Sequence, residues 1–330
     1  MSEQALWSPS SEFVEDANIT RFINWLNQEK NLQFNDYESL WEWSTEHIEE
    51  FWKTIVEYFD IQFHHPYKKV LSSHKMPGVK WFEGATINYT EQVFKNYNDN
   101  YPALISETET HPMSEMSWSE LYKQVASVSR FMRNKNVKKG DRVVAFMPNT
   151  PETVVAFLAT ASIGAVWSSC SPEFGAESVI ERFKQIKPKL MFAVEGCLYI
   201  GKKIDRTDVV LEIKNEIPEI ETLILIDYID PSGEIGNKIK GKISFKEVLK
   251  TKADKIEYDY VEFNDPLWVL YSSGTTGKPK AITHSQGGIV LEHTKYLSLH
   301  SNVKPGSRFF WYSTTGWMMW NFVMGSLLVG

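Results

Sequence analysis

Arg142-Val143-Val144-Ala145-Phe146-Met147 is an apolar run entered through the turn pair Gly140-Asp141, and Thr150-Pro151-Glu152 follows it closely. The run has the length and β-branched content of a buried strand. Thr150, Pro151 and Glu152 have the order of an N-cap, a first-turn proline and a first-turn acid, which predicts a helix stopped at Gly164. Ala165–Ser168 then reads as a short strand, Ala176–Ile186 as a helix and Leu190–Val194 as an apolar strand. A helix near 204–215 leads through Pro218 to a strand over Thr222–Ile226. This alternation predicts the α/β class, with a mostly parallel sheet covered by helices on both faces and joined by right-handed crossovers.

Upstream, Ser117-Trp118-Ser119-Glu120 has the form of a capping box, opening a helix with Leu121, Val125, Val128 and Met132 on one side. Within residues 1–90, Ile19, Phe22, Ile23 and Leu26 are spaced i, i+3, i+4, i+7. Ile48, Phe51, Trp52, Ile55, Val56 and Phe59 repeat the pattern, so both segments predict helices with one apolar face. Their other faces carry Glu and Asn rather than Lys and Arg, which excludes a membrane-surface helix. Downstream, residues 227–264 are polar and Lys-rich, with turns marked by Pro231, Gly233, Gly236 and Gly241. They are expected as the boundary before a second α/β unit that starts with the strand Trp268–Tyr271. The expected division is a helical extension over 1–90, a first α/β subdomain over 91–264 and the start of an incomplete second one over 265–330.

The 330 residues fit two domains and allow three. With 42% hydrophobic and 23% charged residues, disorder is excluded as a whole-chain reading. Two cysteines, Cys170 and Cys197, exclude a disulfide framework and a CxxC site. The net charge of −7 is uneven: residues 1–60 hold 13 acidic side chains against 3 basic ones, which disfavours nucleic acid as a partner. From 270 to 330, five basic residues (Lys278, Lys280, Lys295, Lys304, Arg308) face one acid, Glu292, a balance suited to a small anion. Met1-Ser2-Glu3-Gln4 lacks the basic and apolar regions of a signal peptide, so a cytoplasmic location is expected. Phe309–Gly330 is 22 residues without a charge, long enough to span a bilayer. Ser313, Thr314, Thr315, Gly316 and Asn321 would leave polar groups needing partners there, so a buried strand and helix is expected and no membrane contact.

Tyr271-Ser272-Ser273-Gly274-Thr275-Thr276-Gly277-Lys278-Pro279-Lys280 follows the strand at 268–271. Its glycines let backbone amides approach a ligand, its hydroxyls supply donors and its lysines supply charge. Such a loop suits phosphate oxygens. It is not a Walker A loop, which wants Gly where Ser272 stands and Ser or Thr where Pro279 stands. Thr283-His284-Ser285-Gln286-Gly287 approaches a nucleophile elbow, but Thr283 replaces the first glycine and no strand is expected to lead into it. The eight histidines show no HExxH and no ligand spacing; His284, His293 and His300 are expected on or beside a helix. Cys170 is expected as a small buried hydrophobe.

The loop string resembles the signature loop of the acyl-adenylate-forming superfamily, which includes acyl-CoA synthetases, luciferases and peptide-synthetase adenylation domains. Met116-Ser117-Trp118-Ser119-Glu120-Leu121, Lys139-Gly140-Asp141-Arg142-Val143 and Ser162-Ile163-Gly164-Ala165-Val166 are similar to further core motifs, in the right order. Leu40-Trp41-Glu42-Trp43-Ser44, Phe51-Trp52 and Trp81-Phe82-Glu83-Gly84-Ala85-Thr86-Ile87-Asn88-Tyr89 look like the N-terminal extension of the acetyl-CoA-synthetase branch. Trp167-Ser168-Ser169-Cys170-Ser171-Pro172-Glu173-Phe174-Gly175, Tyr312-Ser313-Thr314-Thr315-Gly316-Trp317-Met318-Met319-Trp320-Asn321 and Ala281 resemble members acting on acetoacetate rather than acetate or propionate.

The resemblance implies the N-terminal part of the adenylate-forming fold and a two-step ligation using acetoacetate, ATP with Mg²⁺, and coenzyme A. It implies that Ser272, Ser273, Gly274, Thr275, Thr276, Gly277, Lys278 and Lys280 hold the ATP phosphates, with the Thr276 hydroxyl near Mg²⁺. Gly316, Trp317, Met318 and Met319 would line the acyl pocket, and Cys170 lies in the string on the coenzyme A side. Without the family pattern, Trp317, Met318, Met319 and Trp320 read as ordinary core rather than pocket wall. Members of the family are usually far longer. The part that contributes a metal-side acid and a ribose-binding aspartate, and the domain with the catalytic lysine, find no counterpart here, so the chain is expected to be the front half and inactive alone. Two readings stay open: a ligase, or half of one completed by a second polypeptide, for acetoacetate or another short-chain carboxylate; and a non-catalytic remnant binding nucleotide or a partner. The apolar segment Phe309–Gly330 is in addition expected to associate with itself or with a partner chain.

Overall fold

The structure is a computed structural model that describes residues 6–109, 111–272 and 277–330. Among the N-terminal helices, α1 (Asn18–Glu29) and α3 (Ile48–Tyr58) carry the two predicted apolar faces, and α2 (Tyr37–Glu46), which was not anticipated, lies between them. Phe22, Leu26, Leu40, Ile55 and Val56 form one cluster with Phe82, Phe263 and Leu291. Asn18 ties this layer to the other end of the chain: its Nδ2 donates to the carbonyls of Ser298 and Val303 at 3.1 and 2.9 Å. After α4 (Tyr89–Phe94) comes α5 (Trp118–Asn134). Its capping box is complete, the Ser117 hydroxyl accepting from the Glu120 amide and the Glu120 carboxylate accepting from the Ser117 amide.

The alternating region follows as β1 (Arg142–Phe146), α6 (Pro151–Ser162), β2 (Val166–Cys170), α7 (Ala176–Phe183), β3 (Leu190–Val194), α8 (Thr207–Glu216) and β4 (Thr222–Ile226). The remaining strands of the main sheet are β5 (Ile243–Ser244), β6 (Pro266–Ser272) and β7 (Lys280–Ser285), the last followed by α9 (Gln286–Lys295) and α10 (Met318–Met324); short two-stranded ribbons lie outside it. All seven strands form one sheet in the order β5-β4-β3-β1-β2-β6-β7, parallel throughout except for the antiparallel pair β6–β7. Successive side chains of a strand face opposite sides. Val143 and Ala145 accordingly join a core with α5 and α6, while Val144 and Phe146 join one with α7 and α8. Burial on both faces explains why these strands read as continuous apolar runs.

Three features differ from expectation. The strand expected to open a separate unit lies in the same sheet, with Trp268 opposite Trp167. Residues 227–264 are folded onto that sheet rather than strung between two units: β5 extends its edge beside β4, and Phe245, Val248, Ile256, Val261 and Phe263 are buried. Turn residues and lysines dominate the composition of this stretch, but these spaced apolar residues anchor it.

The third is Phe309–Gly330, which gives the expected helix (α10) but no strand. An extended segment becomes a strand only where a neighbour offers its backbone, and 309–314 pairs with none of the described strands. No helix among the described residues is long and apolar enough to cross a membrane. Phe322 instead gathers Tyr296, Phe309 and Trp311 around its ring. Phe310, Trp311, Tyr312, Trp317 and Met318 are 76%, 50%, 91%, 65% and 48% exposed. Five large apolar side chains thus stand exposed within residues 310–318, and monomers seldom leave large apolar patches bare. The purified 330-residue polypeptide is expected to bind ANS and to run as a dimer or larger species in light scattering at micromolar concentration. A monodisperse, ANS-silent monomer would show that the segment is already covered.

Candidate functional site

Sheet order reverses direction around β1, and in such sheets the crevice outside the carboxyl ends of the strands is the usual ligand position. Two strings reach that edge. The first is 312–321. The Thr315 hydroxyl donates to the Met147 carbonyl just past β1 (2.7 Å), and the Ser169 hydroxyl of β2 donates to the Thr315 carbonyl (2.7 Å). Trp320 Nε1 donates to Asn149 Oδ1 at 2.9 Å, while its ring stacks on Trp167. Gly316 lies over Phe174 and the Ser171 amide, where a Cβ would stand 3.4 and 3.7 Å from them. Trp317 and Met318 are exposed at this edge and Met319 is half-buried.

The second string is the phosphate-type loop. Ser272 ends β6 opposite Lys280, which opens β7, so the two flank the loop at its base. Gly277 has φ +99, a left-handed conformation that favours glycine, and Lys278 and Lys280 are exposed. Ser273, Gly274, Thr275 and Thr276 lie outside the described residues, and with them the hydroxyl expected near a metal. The strings are linked through α7: Gly316 sits on Phe174, the Arg182 guanidinium stands 5.3 Å from that ring, and the Arg182 carbonyl accepts from the Tyr271 hydroxyl at 2.8 Å. Gln185 Nε2 donates to the Pro279 carbonyl at 3.0 Å.

Electrostatics narrow the chemistry. Burial pushes the Cys170 thiol up to about 12, so it is a protonated, packed side chain rather than a nucleophile. Burial also raises Tyr271, which stays a neutral donor. At the elbow-like string the expectation fails in one respect: a strand, β7, does lead into Ser285. It is an antiparallel edge strand that the sequence does not mark by alternation. The Ser285 hydroxyl caps α9 by accepting from the Gly288 amide, and His284 Nδ1 accepts from Trp268 Nε1 at 2.9 Å, so serine and imidazole serve separate partners. His293, on α9 against Trp268 and Phe322, is pushed down to about 4, chiefly by burial. Among the described residues no group of three or more His, Cys, Asp and Glu could hold a metal. A cavity of about 430 Å³ lies elsewhere, between Tyr101, Trp118, Arg308 and Phe310, and none of the sequence-predicted site residues lines it.

Asn149 and Ser169 were not singled out from the sequence, and Thr315 was marked only as a polar residue needing a partner, although each holds the site together. Ser169 carries an advance signal, polarity inside a strand that otherwise buries completely; Thr315 is buried within a largely exposed string and Asn149 is itself exposed, so burial of the run marks neither. Two further polar groups of the string, the Thr314 hydroxyl and the Asn321 amide, are buried without a hydrogen-bond partner among the described residues.

Comparison with known proteins places the chain as a whole. The profile of the AMP-binding enzymes matches residues 90–330, and that of the acetyl-coenzyme A synthetase N-terminus matches residues 37–93. The chain is 35% identical to acetoacetyl-CoA synthetase of Gallus gallus and 34% identical to acetoacetyl-coenzyme A synthetase of Rhizobium meliloti (strain 1021), each alignment covering 100% of this chain and 50% of the relative. The solved structure of acetoacetyl-CoA synthetase from Streptomyces lividans superposes with a TM-score of 0.94 at 44% identity, over 99% of this chain and 50% of that one. The chain therefore spans about half the length of the relatives it matches.

Proposed function

Because the chain belongs to the AMP-binding enzyme family, we propose that it is the part of an AMP-forming acyl-CoA ligase that grips the phosphates of ATP and walls one side of an acetoacetate pocket. The observation that carries this reading is the meeting of the 312–321 string and the base of the Ser272–Lys280 loop at one edge of the sheet, bridged by Phe174 and Arg182. In such a ligation the acetoacetate carboxylate attacks the α-phosphorus of ATP, forming the acyl-adenylate and expelling pyrophosphate. The thiol of coenzyme A then attacks the acyl carbon, loses its proton and expels AMP.

In the first step negative charge builds on the departing β,γ-phosphates. Preorganised amides, hydroxyls and lysine charge placed around them lower that barrier. Ser272, Gly277, Lys278 and Lys280 take this role together with Ser273, Gly274, Thr275 and Thr276; Gly316, Trp317, Met318 and Met319 take that of the acyl wall. ATP would bring Mg²⁺ when it binds, and the ion would offset charge on the phosphates; among the described residues no group of three or more His, Cys, Asp and Glu is placed to hold it.

Calorimetric titration of ATP into the 330-residue polypeptide tests the reading. Binding is expected, weakened about tenfold or more by Lys278→Ala, since a charge-assisted contact is typically worth more than a neutral one. No heat of binding at millimolar ATP, or binding indifferent to Lys278, would overturn it. The half-length match favours one second reading, a nucleotide-binding unit without turnover; a neighbouring reading frame encoding the lysine-bearing remainder would decide against it.

A further inference from the structure

We propose, resting on the reading of the site above, that the adjacent serines Ser168 and Ser169 of β2 are positioning residues that lock the phosphate-loop strand and the 313–317 string to one another. Both are buried, at 1% and 4% exposure, in a strand whose other members are Val166, Trp167 and Cys170. Serine is a poor choice for a fully buried strand, because an unbonded hydroxyl there carries a desolvation cost and β-branched side chains pack better. Each hydroxyl is bonded, and to a different element. Ser168 Oγ donates to the Val269 carbonyl of β6 at 2.8 Å, and Ser169 Oγ donates to the Thr315 carbonyl at 2.7 Å.

The backbone pairing explains why a side-chain tie is needed. β2 pairs with β1 at five positions but with β6 only at Trp167–Trp268. Past that point the seam between β2 and β6 is bridged by the Ser168 hydroxyl on Val269, two residues before Tyr271 and three before Ser272, where the loop begins. On the other side the string has no strand partner and is pinned by Ser169 and by the Thr315 hydroxyl on Met147. One strand thus carries both halves of the site in fixed register through two consecutive hydroxyls that point to opposite sides.

The experiment combines segment-resolved hydrogen exchange with ATP titration on the 330-residue polypeptide. Ser168→Ala is expected to speed exchange over 266–272, leave 313–317 unchanged and weaken ATP binding by about three- to tenfold, the range of one neutral hydrogen bond. Ser169→Ala is expected to speed exchange over 313–317 only, with ATP affinity within about twofold of the parent. Ser168→Thr, which keeps the donor, should restore the parent pattern. Thr315→Val, which removes the bond to Met147 at similar shape, should reproduce Ser169→Ala and covers the case in which a serine variant fails to fold. Equal acceleration of both segments by either serine variant, or no acceleration by any, overturns the proposal. If the parent binds no ATP, the functional reading falls, while the exchange patterns still decide the clamp.

Discussion

The 330-residue polypeptide alone is expected to release AMP from acetoacetate, ATP and coenzyme A at least about 10²–10³-fold more slowly than a full-length acetoacetyl-CoA synthetase. The magnitude follows from what one positioned electrostatic group commonly contributes to a transition state, and several are at stake together. The chain spans about half of its relatives' length, and from the family resemblance the ribose-binding aspartate and the catalytic lysine are expected in the half it does not cover. Among the described residues no group of three or more His, Cys, Asp and Glu is placed to hold a metal. Residual binding of ATP would not rescue the rate, because binding substrate and transition state equally well leaves the chemical step unaccelerated. A coupled assay of AMP release decides the matter; turnover within tenfold of the full-length enzyme would show that the described half holds a complete catalytic set.

How much of this was legible in the sequence depended on whether the signal was local. Leu190–Val194 and Thr222–Ile226 fall on their strands as read, because an apolar run bounded by turn residues is a local pattern and a strand buried on both faces must satisfy it. The Ser117–Glu120 box was legible for the same reason. Thr150 shows the limit: the helix starts at Pro151 as expected, yet its N-cap side chain makes no capping bond. β7 was missed because an edge strand with exposed Lys280, Ala281, Ile282 and Thr283 carries no alternation and takes its register from β6. A hairpin, Gly196–Tyr199 paired with Lys202–Asp205, was partly absorbed into the expected helix near 204–215. At the site, the loop string announces itself through its own glycines, hydroxyls and lysines. The clamp does not, since Ser169 and Thr315 are 146 residues apart, Met147 and Thr315 are 168 apart, and Asn149 and Trp320 are 171 apart. Only the order of strands β1, β2 and β6 brings those partners to one edge.

Lys280→Ala, placed in a polypeptide completed by the second half of the ligase, is expected to slow adenylation by about 10²–10³-fold while leaving thioester formation within roughly threefold. The side chain is exposed at the first position of β7, and the pairing of Lys280 with Ser272 runs through the backbone, so the substitution removes charge without dismantling the hairpin. Only interactions stronger in the transition state than in the ground state accelerate a step. Charge on the β,γ-phosphates grows during adenylation and is gone once pyrophosphate has left, so a lysine beside those phosphates has nothing to stabilise when the thiol attacks the acyl carbon. The half-reactions separate cleanly: pyrophosphate release in a single turnover reads the first, and supplying preformed acetoacetyl-adenylate with coenzyme A reads the second. Lys280→Arg keeps the charge at a different geometry and should recover part of the first step alone. Equal losses in both half-reactions would instead mean that Lys280 shapes the edge of β7, and that the charge facing the departing phosphates comes from Lys278 or from another residue.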